Sequence, residues 1–514
     1  MRLRPSANTD VARLILLLLV ILAFAFRLYQ LDYQSLWRDE MDAIRFARRD
    51  LSRLVPLLIK PGHNGPLYHV ILHFWIRLAG DSEFSVRFFS LICGVLAVPL
   101  IFKMGRRWVG RNGSLLAAML CTTSPYLIWY SQEAKMYALL FLCSMLSTYI
   151  YLLALERDRI YLWLSYLVTI VVSMYVHLLA VLIIPFHALL FLVTWPRYRK
   201  ALKSWLATFA ILVLPYLPLA RWEIPLLISP FTTGHQFYSL PEILTVLLFA
   251  FSLNSAPYQG LLAITLFIFL LLAGMFLYRR GEGRVASFSL KTLLTRHQQS
   301  VSLSLYLFVP IVCVFLISLG MPIFSDRYLI TVLPAYLLLL VCGLSAVKQK
   351  SARQAILCLA LLLLSNLYMV SLQGHTRIKS DFRSAAAHIR KDGRGDLMMF
   401  LIPQGRLVFD YYYQDQFPWA EPPCTNQGME AEEVAQVMEV ATAGRDEVWL
   451  VISEGEMWDS RGLVRSWFEE HAVLLSHGSF ARVEMYLYAL EAVHQNPPGG
   501  AQASSPKSYN SMSF

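Results

Sequence analysis

Val11-Ala12-Arg13-Leu14-Ile15-Leu16-Leu17-Leu18-Leu19-Val20-Ile21-Leu22-Ala23-Phe24-Ala25-Phe26 is apolar but for one arginine, and Ser35-Leu36-Trp37-Arg38-Asp39-Glu40 follows just beyond it. A membrane span needs ~20 apolar residues. The chain repeats such runs along most of its 514 residues, with 57% hydrophobic and only 15% charged side chains. A soluble protein of this size presents a far larger polar surface. The class is therefore an integral membrane protein. A net charge of +11 would suit nucleic acid. The Lys and Arg residues instead cluster between apolar runs, as cytoplasmic loops do, so no nucleic-acid partner is expected.

The N-terminal Met1-Arg2-Leu3-Arg4 and the run behind it resemble a signal peptide, but the run is long and further spans follow. A retained signal-anchor helix is expected. Of the seven cysteines, six lie inside apolar runs and behave as small apolar side chains. Cys424 lies in a polar region, and no CxxC or His/Cys spacing points to a zinc site.

About 11 transmembrane helices are expected, near 11–28, 86–103, 113–130, 136–155, 160–176, 178–194, 203–220, 257–278, 302–320, 328–346 and 354–372. The apolar segment 240–253 is short and reads as an interfacial or re-entrant helix. Basic clusters (Arg2 and Arg4; Lys103, Arg106, Arg107 and Arg111; Arg157 and Arg159; Arg197, Arg199, Lys200 and Lys203; Arg279, Arg280, Arg284, Lys291 and Arg296; Lys348, Lys350 and Arg353) then fall on one side. That side is cytoplasmic by the positive-inside rule. The expected setting is a multi-pass protein of the cytoplasmic membrane, with its C-terminal region outside.

Residues 1–374 are expected to form the membrane domain. Its first outer loop, 29–85, is basic, but Asp32, Asp39, Glu40, Asp42, Asp50, Asp81 and Glu83 offset the cations. Met41–Ile59 mixes apolar and basic positions at helical spacing, the pattern of a helix lying along anionic lipid head groups. Residues 375–490 change character. Helices are expected at Ser380–Lys391, Glu430–Thr442 and Ser460–His471. Strands are expected at Gly395–Ile402, Glu447–Ser453, and near 473–478 and 482–490. This alternation predicts a small extracytoplasmic α/β domain. The tail 491–514, rich in Pro, Gly, Ser and Gln, reads as disordered.

Polar residues converge on the outer level. Asp39 and Glu40 follow the first span. His63-Asn64-Gly65-Pro66-Leu67-Tyr68 lies later in the same loop. Tyr130-Ser131-Gln132-Glu133-Ala134-Lys135-Met136-Tyr137 forms a short turn between spans. His177 and Ser325-Asp326-Arg327-Tyr328 lie at two further outer turns. Carboxylates at a membrane mouth are costly unless solvated, paired or used, so the group reads as a reaction centre. Each residue also has a plainer role. Asp39 suits a helix N-cap. Glu40 suits an ion pair with a nearby Arg. Glu133 and Lys135 suit an interface, with Lys135 snorkelling. His63 suits a proline turn, His177 a hydrogen-bonded interfacial position, and Arg327 a span anchor. The aromatic residues Trp37, Tyr68, Trp129, Tyr130, Phe237 and Tyr238 suit sugar stacking, and equally an interface belt.

Trp37-Arg38-Asp39-Glu40, His63-x-x-Pro66-Leu67-Tyr68, Asp81-Ser82-Glu83-Phe84-Ser85-Val86-Arg87, Tyr130 to Tyr137, and Asp326-Arg327-Tyr328 occur in this order. Together they resemble the C-type fold (GT-C) glycosyltransferases of the dolichyl-phosphate-mannose–protein mannosyltransferase-like group, which includes bacterial lipopolysaccharide-core transferases. The likeness covers about residues 10–345. It implies a polyprenyl-phosphate-linked sugar donor and a glycolipid, polysaccharide or protein acceptor. It also implies an inverting transfer at the outer face. Asp39 matches the catalytic acidic position, with Glu40 beside it and Glu133 at the second acidic position. Arg327 matches a phosphate-binding arginine, and Lys135 and Tyr328 fit beside it. His63, Tyr68, Tyr137 and His177 fit substrate contacts. A divalent metal stays open, with Glu133, His63 and His177 as candidate ligands. Relatives with Lys-Pro-Pro have a donor-phosphate contact where this chain has Asn64-Gly65-Pro66. Others carry a basic residue where this chain has Met41 and Asp42. Asp381-Phe382-Arg383-Ser384-Ala385-Ala386-Ala387 resembles an Asp-Trp-Arg-Ala-Ala segment found after the last span of the group.

A transporter or flippase of lipid-linked sugars is the alternative. That class shows paired repeats and charges near the midplane of its spans, whereas these spans are nearly free of charge. A polymerase or ligase would carry its long outer loop late in the chain, and here it comes first.

Overall fold

A computed structural model of the chain describes residues 7–58, 64–228, 235–254, 261–278 and 298–490. The chain divides into a helical unit, Met1–Leu31 with Ala43–His375, and a second unit, Asp32–Asp42 with Thr376–Phe514. The tail 491–514, His63 and the basic segment 279–297 lie outside the described residues.

Among the described residues of the helical unit, seven helices are long and apolar enough to cross a membrane: Asp10–Leu28, Glu83–Gly105, Tyr137–Arg157, Arg199–Arg221, Gln298–Ser318, Asp326–Lys350 and Ala352–His375. Four shorter apolar helices, Ile160–Val176, Leu178–Val193, Leu240–Leu253 and Ala263–Phe276, accompany them. This is a polytopic helical membrane protein. Leu14, Leu17, Leu18 and Ile21 of the first helix are exposed, as lipid-facing side chains should be. By contrast, nearly every residue from Leu329 to Leu344 is buried, so that helix is the centre of the unit.

Two expectations change here. The span predicted at 113–130 is two helices, Gly110–Thr123 and Pro125–Ser131. Ser124 caps the second by accepting from Leu127 N–H, and Pro125 takes the first helical position. Proline there needs no N–H partner but cannot continue the preceding helix. The interfacial helix predicted over Met41–Ile59 is also two, Arg38–Ala47 and Leu51–Leu58. Asp50, a residue type favoured at an N-cap, stands just before the second. The motif Asp81 to Arg87 opens the next long helix. Ser82 caps the helix Glu83–Gly105, and fully buried Arg87 donates to Leu31 O at 3.1 Å.

The helices Leu261–Phe276 and Leu333–Lys350 touch backbone to backbone. A Cβ on Gly343 would lie 2.0 Å from Leu270 O, and one on Gly274 2.1 Å from Leu339 O. Small residues permit such contacts between membrane helices. Gly343→Ala is expected to separate the helices and cost about 1–3 kcal/mol, read as a lower melting temperature in detergent. Gly320→Ala is the control, because its Cβ would meet nothing nearer than 3.9 Å.

The second unit carries a five-stranded sheet in the order β2-β1-β3-β5-β4. The strands are β1 (Leu397–Phe400), β2 (Trp419–Ala420), β3 (Glu447–Ser453), β4 (Ala472–Phe480) and β5 (Val483–Leu490). β1 pairs parallel with β2 and β3, whereas β5 runs antiparallel to β3 and β4. All of β1 is buried, as a strand covered on both faces should be. One face packs Leu397, Met399, Val448 and Leu450 against Val434, Met438, Val464 and Phe468 of the helices Ala431–Thr442 and Leu463–His471. The helix Phe382–Asp392 is capped by Asp381, which accepts from Ser384 N–H at 3.1 Å.

Candidate functional site

Asp39 and Glu40 occupy the first turn of Arg38–Ala47. Met41 N–H bonds to Trp37 O, which makes Trp37 the cap residue and puts Asp39 inside the helix rather than at its N-cap. First-turn N–H groups have no intrahelical acceptor, and the helix dipole favours negative charge there. Asp39 is half-buried, whereas Glu40 is fully buried and accepts from Lys379 Nζ at 2.9 Å. That lysine lies 339 residues away in the chain.

The segment before Asp39 is held within the second unit. Gln34 Nε2 donates to Thr376 O at 2.7 Å, and its Oε1 accepts from Ile378 N–H at 3.0 Å. Leu36 N–H donates to Tyr412 Oη at 2.7 Å. Arg38 pairs with Glu454 at 3.6 Å. Sequence reasoning missed Lys379, Gln34 and Tyr412. No spacing or periodicity links positions so far apart.

The helical unit gathers a second set of residues from four separate segments. The 3-10 turn Asp326–Val332 carries Arg327 and Tyr328, both partly exposed. The guanidinium of Arg327 lies 5.7 Å from the Tyr137 ring centre and 5.8 Å from that of Tyr328. Tyr328 packs 5.0 Å from the His177 ring, and its Oη lies 3.4 Å from His235 Nε2. Tyr130 donates to Asp326 Oδ2 at 3.3 Å and feels the charges of Glu133 and Arg327. Glu133 is 1% exposed, and Lys135 beside it is partly exposed.

His177 sits in the turn between Ile160–Val176 and Leu178–Leu182, fully buried. Asn64 Nδ2 lies 2.9 Å from its Nε2, and Leu179 N–H donates to its Nδ1 at 3.2 Å. Leu178 N–H in turn holds Asn64 Oδ1 at 3.0 Å. With Nδ1 accepting from Leu179 N–H, an added ring proton there would face a donor instead of an acceptor. Burial first, then Arg327 and Lys135, pushes the imidazole pKa down to about 3. His177 is therefore a neutral support near pH 7. The unfolded chain binds its proton near 6.5, so between pH 6.5 and 3 the unfolded state holds more protons than the folded one. Stability is intact above about 6.5 and falls as the pH drops toward 3. His177→Asn is expected to flatten part of that acid limb in thermal melts.

Tyr68 is fully buried between His69 and Phe89, at 5.7 and 6.3 Å between ring centres. Tyr137 is 4% exposed. Both are thus packed side chains here. Among the described residues no group of three His, Cys, Asp or Glu side chains is set to hold a metal. Asn64 takes up Nε2 of His177, and His63 lies outside the described residues. The described donors therefore do not form a metal site.

Residues 61–222 match the family model described as dolichyl-phosphate-mannose-protein mannosyltransferase. No curated protein sequence matches the chain. Among solved structures it resembles ArnT from Cupriavidus metallidurans bound to undecaprenyl phosphate, with a TM-score of 0.55 and 13% identity. That match covers 96% of this chain and 100% of the other. It also resembles the Archaeoglobus fulgidus oligosaccharyltransferase in complex with Zn and sulfate, with a TM-score of 0.55 and 14% identity. There the coverage is 92% of this chain and 72% of the other. Identities this low establish the fold alone. The chain has the GT-C fold, and both the family model and the fold are those of glycosyltransferases.

Proposed function

We propose that the chain is an inverting glycosyltransferase that moves a sugar from a polyprenyl-phosphate donor to an acceptor hydroxyl at the outer face of the cytoplasmic membrane. The observation that carries this reading is the meeting of two partly exposed cations, Arg327 and Lys135, around neutral His177, with the Tyr328 ring beside them. A leaving phosphodiester gains charge as the sugar departs, and cations held in advance stabilise that charge without reorganising. The planar fork of Arg327 suits two phosphate oxygens, while Lys135 acts as a point charge. Tyr328 lines the same place.

Asp39 takes the proton from the acceptor hydroxyl. The acceptor oxygen attacks the anomeric carbon as the bond to the phosphate oxygen breaks on the opposite side, and the configuration inverts. Asp39 is half-buried rather than sealed, as a base that must meet an incoming hydroxyl requires. Glu40, fully buried on Lys379, orients the segment instead of exchanging protons. Glu133 positions the acceptor. Activity lost to EDTA and regained with added zinc would reassign Glu133 to an ion.

The test compares extracellular glycans and glycoproteins by mass spectrometry in cells with and without the gene. A missing sugar residue names both sugar and acceptor. Membranes then report transfer from a polyprenyl phosphate carrying that sugar. Flipping of a lipid-linked sugar by purified protein in liposomes, with no glycosidic product, overturns the reading in favour of a flippase.

A further inference from the structure

We propose that Lys379 is a positioning residue that holds Asp39 in its working orientation. The inference rests on the reading of Asp39 as the base. Lys379 reaches Glu40, next to Asp39, and Trp37, two positions before it. Its ammonium ends 2.9 Å from Glu40 Oε2 and 5.8 Å from the centre of the Trp37 ring. Both members of the ion pair are buried, with side-chain exposures of 6% and 0%. A buried pair tolerates little displacement, because either charge left alone there is strongly disfavoured. The backbone next to Lys379 adds a second grip. Gln34 accepts from Ile378 N–H at 3.0 Å and from Lys379 N–H at 3.3 Å while donating to Thr376 O. A third grip is the hydroxyl of Tyr412, which accepts from Leu36 N–H at 2.7 Å and lies 3.2 Å from Ser35 Oγ. Positions 34, 35, 36, 37 and 40 are thus tied down, and Asp39 is carried between them.

A free loop would let the carboxylate sample many directions. A base works only within hydrogen-bond reach of its proton, and a displacement of about 1 Å costs about 10²-fold in rate. Lys379 therefore acts on kcat through Asp39 and makes no contact with substrate. Its substitution should leave the donor KM unchanged.

The experiment uses the full chain in lipid nanodiscs. Lys379→Met is expected to lower kcat about 10²-fold with donor KM unchanged. It should speed amide hydrogen exchange across residues 34–42 while leaving β3 (Glu447–Ser453) protected. Lys379→Arg, which keeps the charge and the donor, should restore most of the rate and the slow exchange. If Lys379→Met loosens β3 as well, Tyr412→Phe takes its place. That variant keeps the ion pair and removes one hydroxyl, and a smaller fall in kcat with faster exchange at 34–42 is expected. Full rate, or unchanged exchange at 34–42 in a folded variant, overturns the proposal. The two readings fail separately. A fully active Asp39→Asn removes the base assignment, whereas an inactive Asp39→Asn beside a fully active Lys379→Met removes only the positioning role.

Discussion

Asp39→Asn is expected to reduce transfer by at least about 10²–10⁴-fold, the usual contribution of a general base, while the protein still inserts and accumulates normally. The two halves of that expectation have different sources. Asn matches Asp in size but carries no charge to take a proton. The structural cost is small. Asp39 lies in a first helical turn, where the dipole contributes only about 0.3–1 kcal/mol to a carboxylate. It is half-buried, so no sealed cavity is created. The assay is transfer in membranes, with melting temperature measured beside it. A normal rate for this variant would leave the reaction without its base. A collapse in abundance would instead make Asp39 a folding residue.

Arg327→Met should have the second-largest effect, about 10²–10³-fold in kcat, as found for the loss of one preorganised donor facing developing charge. Arg327 is partly exposed and lies over the Tyr137 and Tyr328 rings. Methionine preserves much of that apolar contact, so folding should survive. Arg327→Lys should recover only part of the rate, because an ammonium lacks the planar fork. The leaving group decides the outcome. A donor with a less basic phosphate leaving group should suffer less from the loss of Arg327. An equal loss for all donors would mean that Arg327 holds the ground state instead.

The legible parts of the fold were those set by local pattern. Long apolar runs marked the membrane helices. The continuous apolar run Val448-Trp449-Leu450-Val451-Ile452 marked β3, which the structure places over Glu447–Ser453. The helix Pro403–Tyr412 went unseen, because Gly405 in its first turn weakens the helical signal. The structure supplies the reason for that glycine. A Cβ at 405 would meet Ser453 Oγ at 3.3 Å and the Phe382 ring at 3.4 Å. The two-residue β2 was equally hidden, since so short a strand has no period to read. For the candidate site, residue types in order pointed to Asp39, Glu133, Lys135 and Arg327. They carried no information on burial, so Tyr68 and His177 looked like surface residues although both are fully buried.

From sequence alone the class was determined: a polytopic helical membrane chain followed by a small α/β region. That follows because hydropathy and side-chain period are properties of neighbouring residues and need no knowledge of the fold. Only the tertiary structure decided that Glu40 rests on Lys379, that Asp32–Asp42 packs as part of the second unit, and that Asn64 holds a neutral His177. Those contacts join residues tens to hundreds of positions apart. Their energies depend on burial and on where a charge finds its partner, and a folded chain creates both at once.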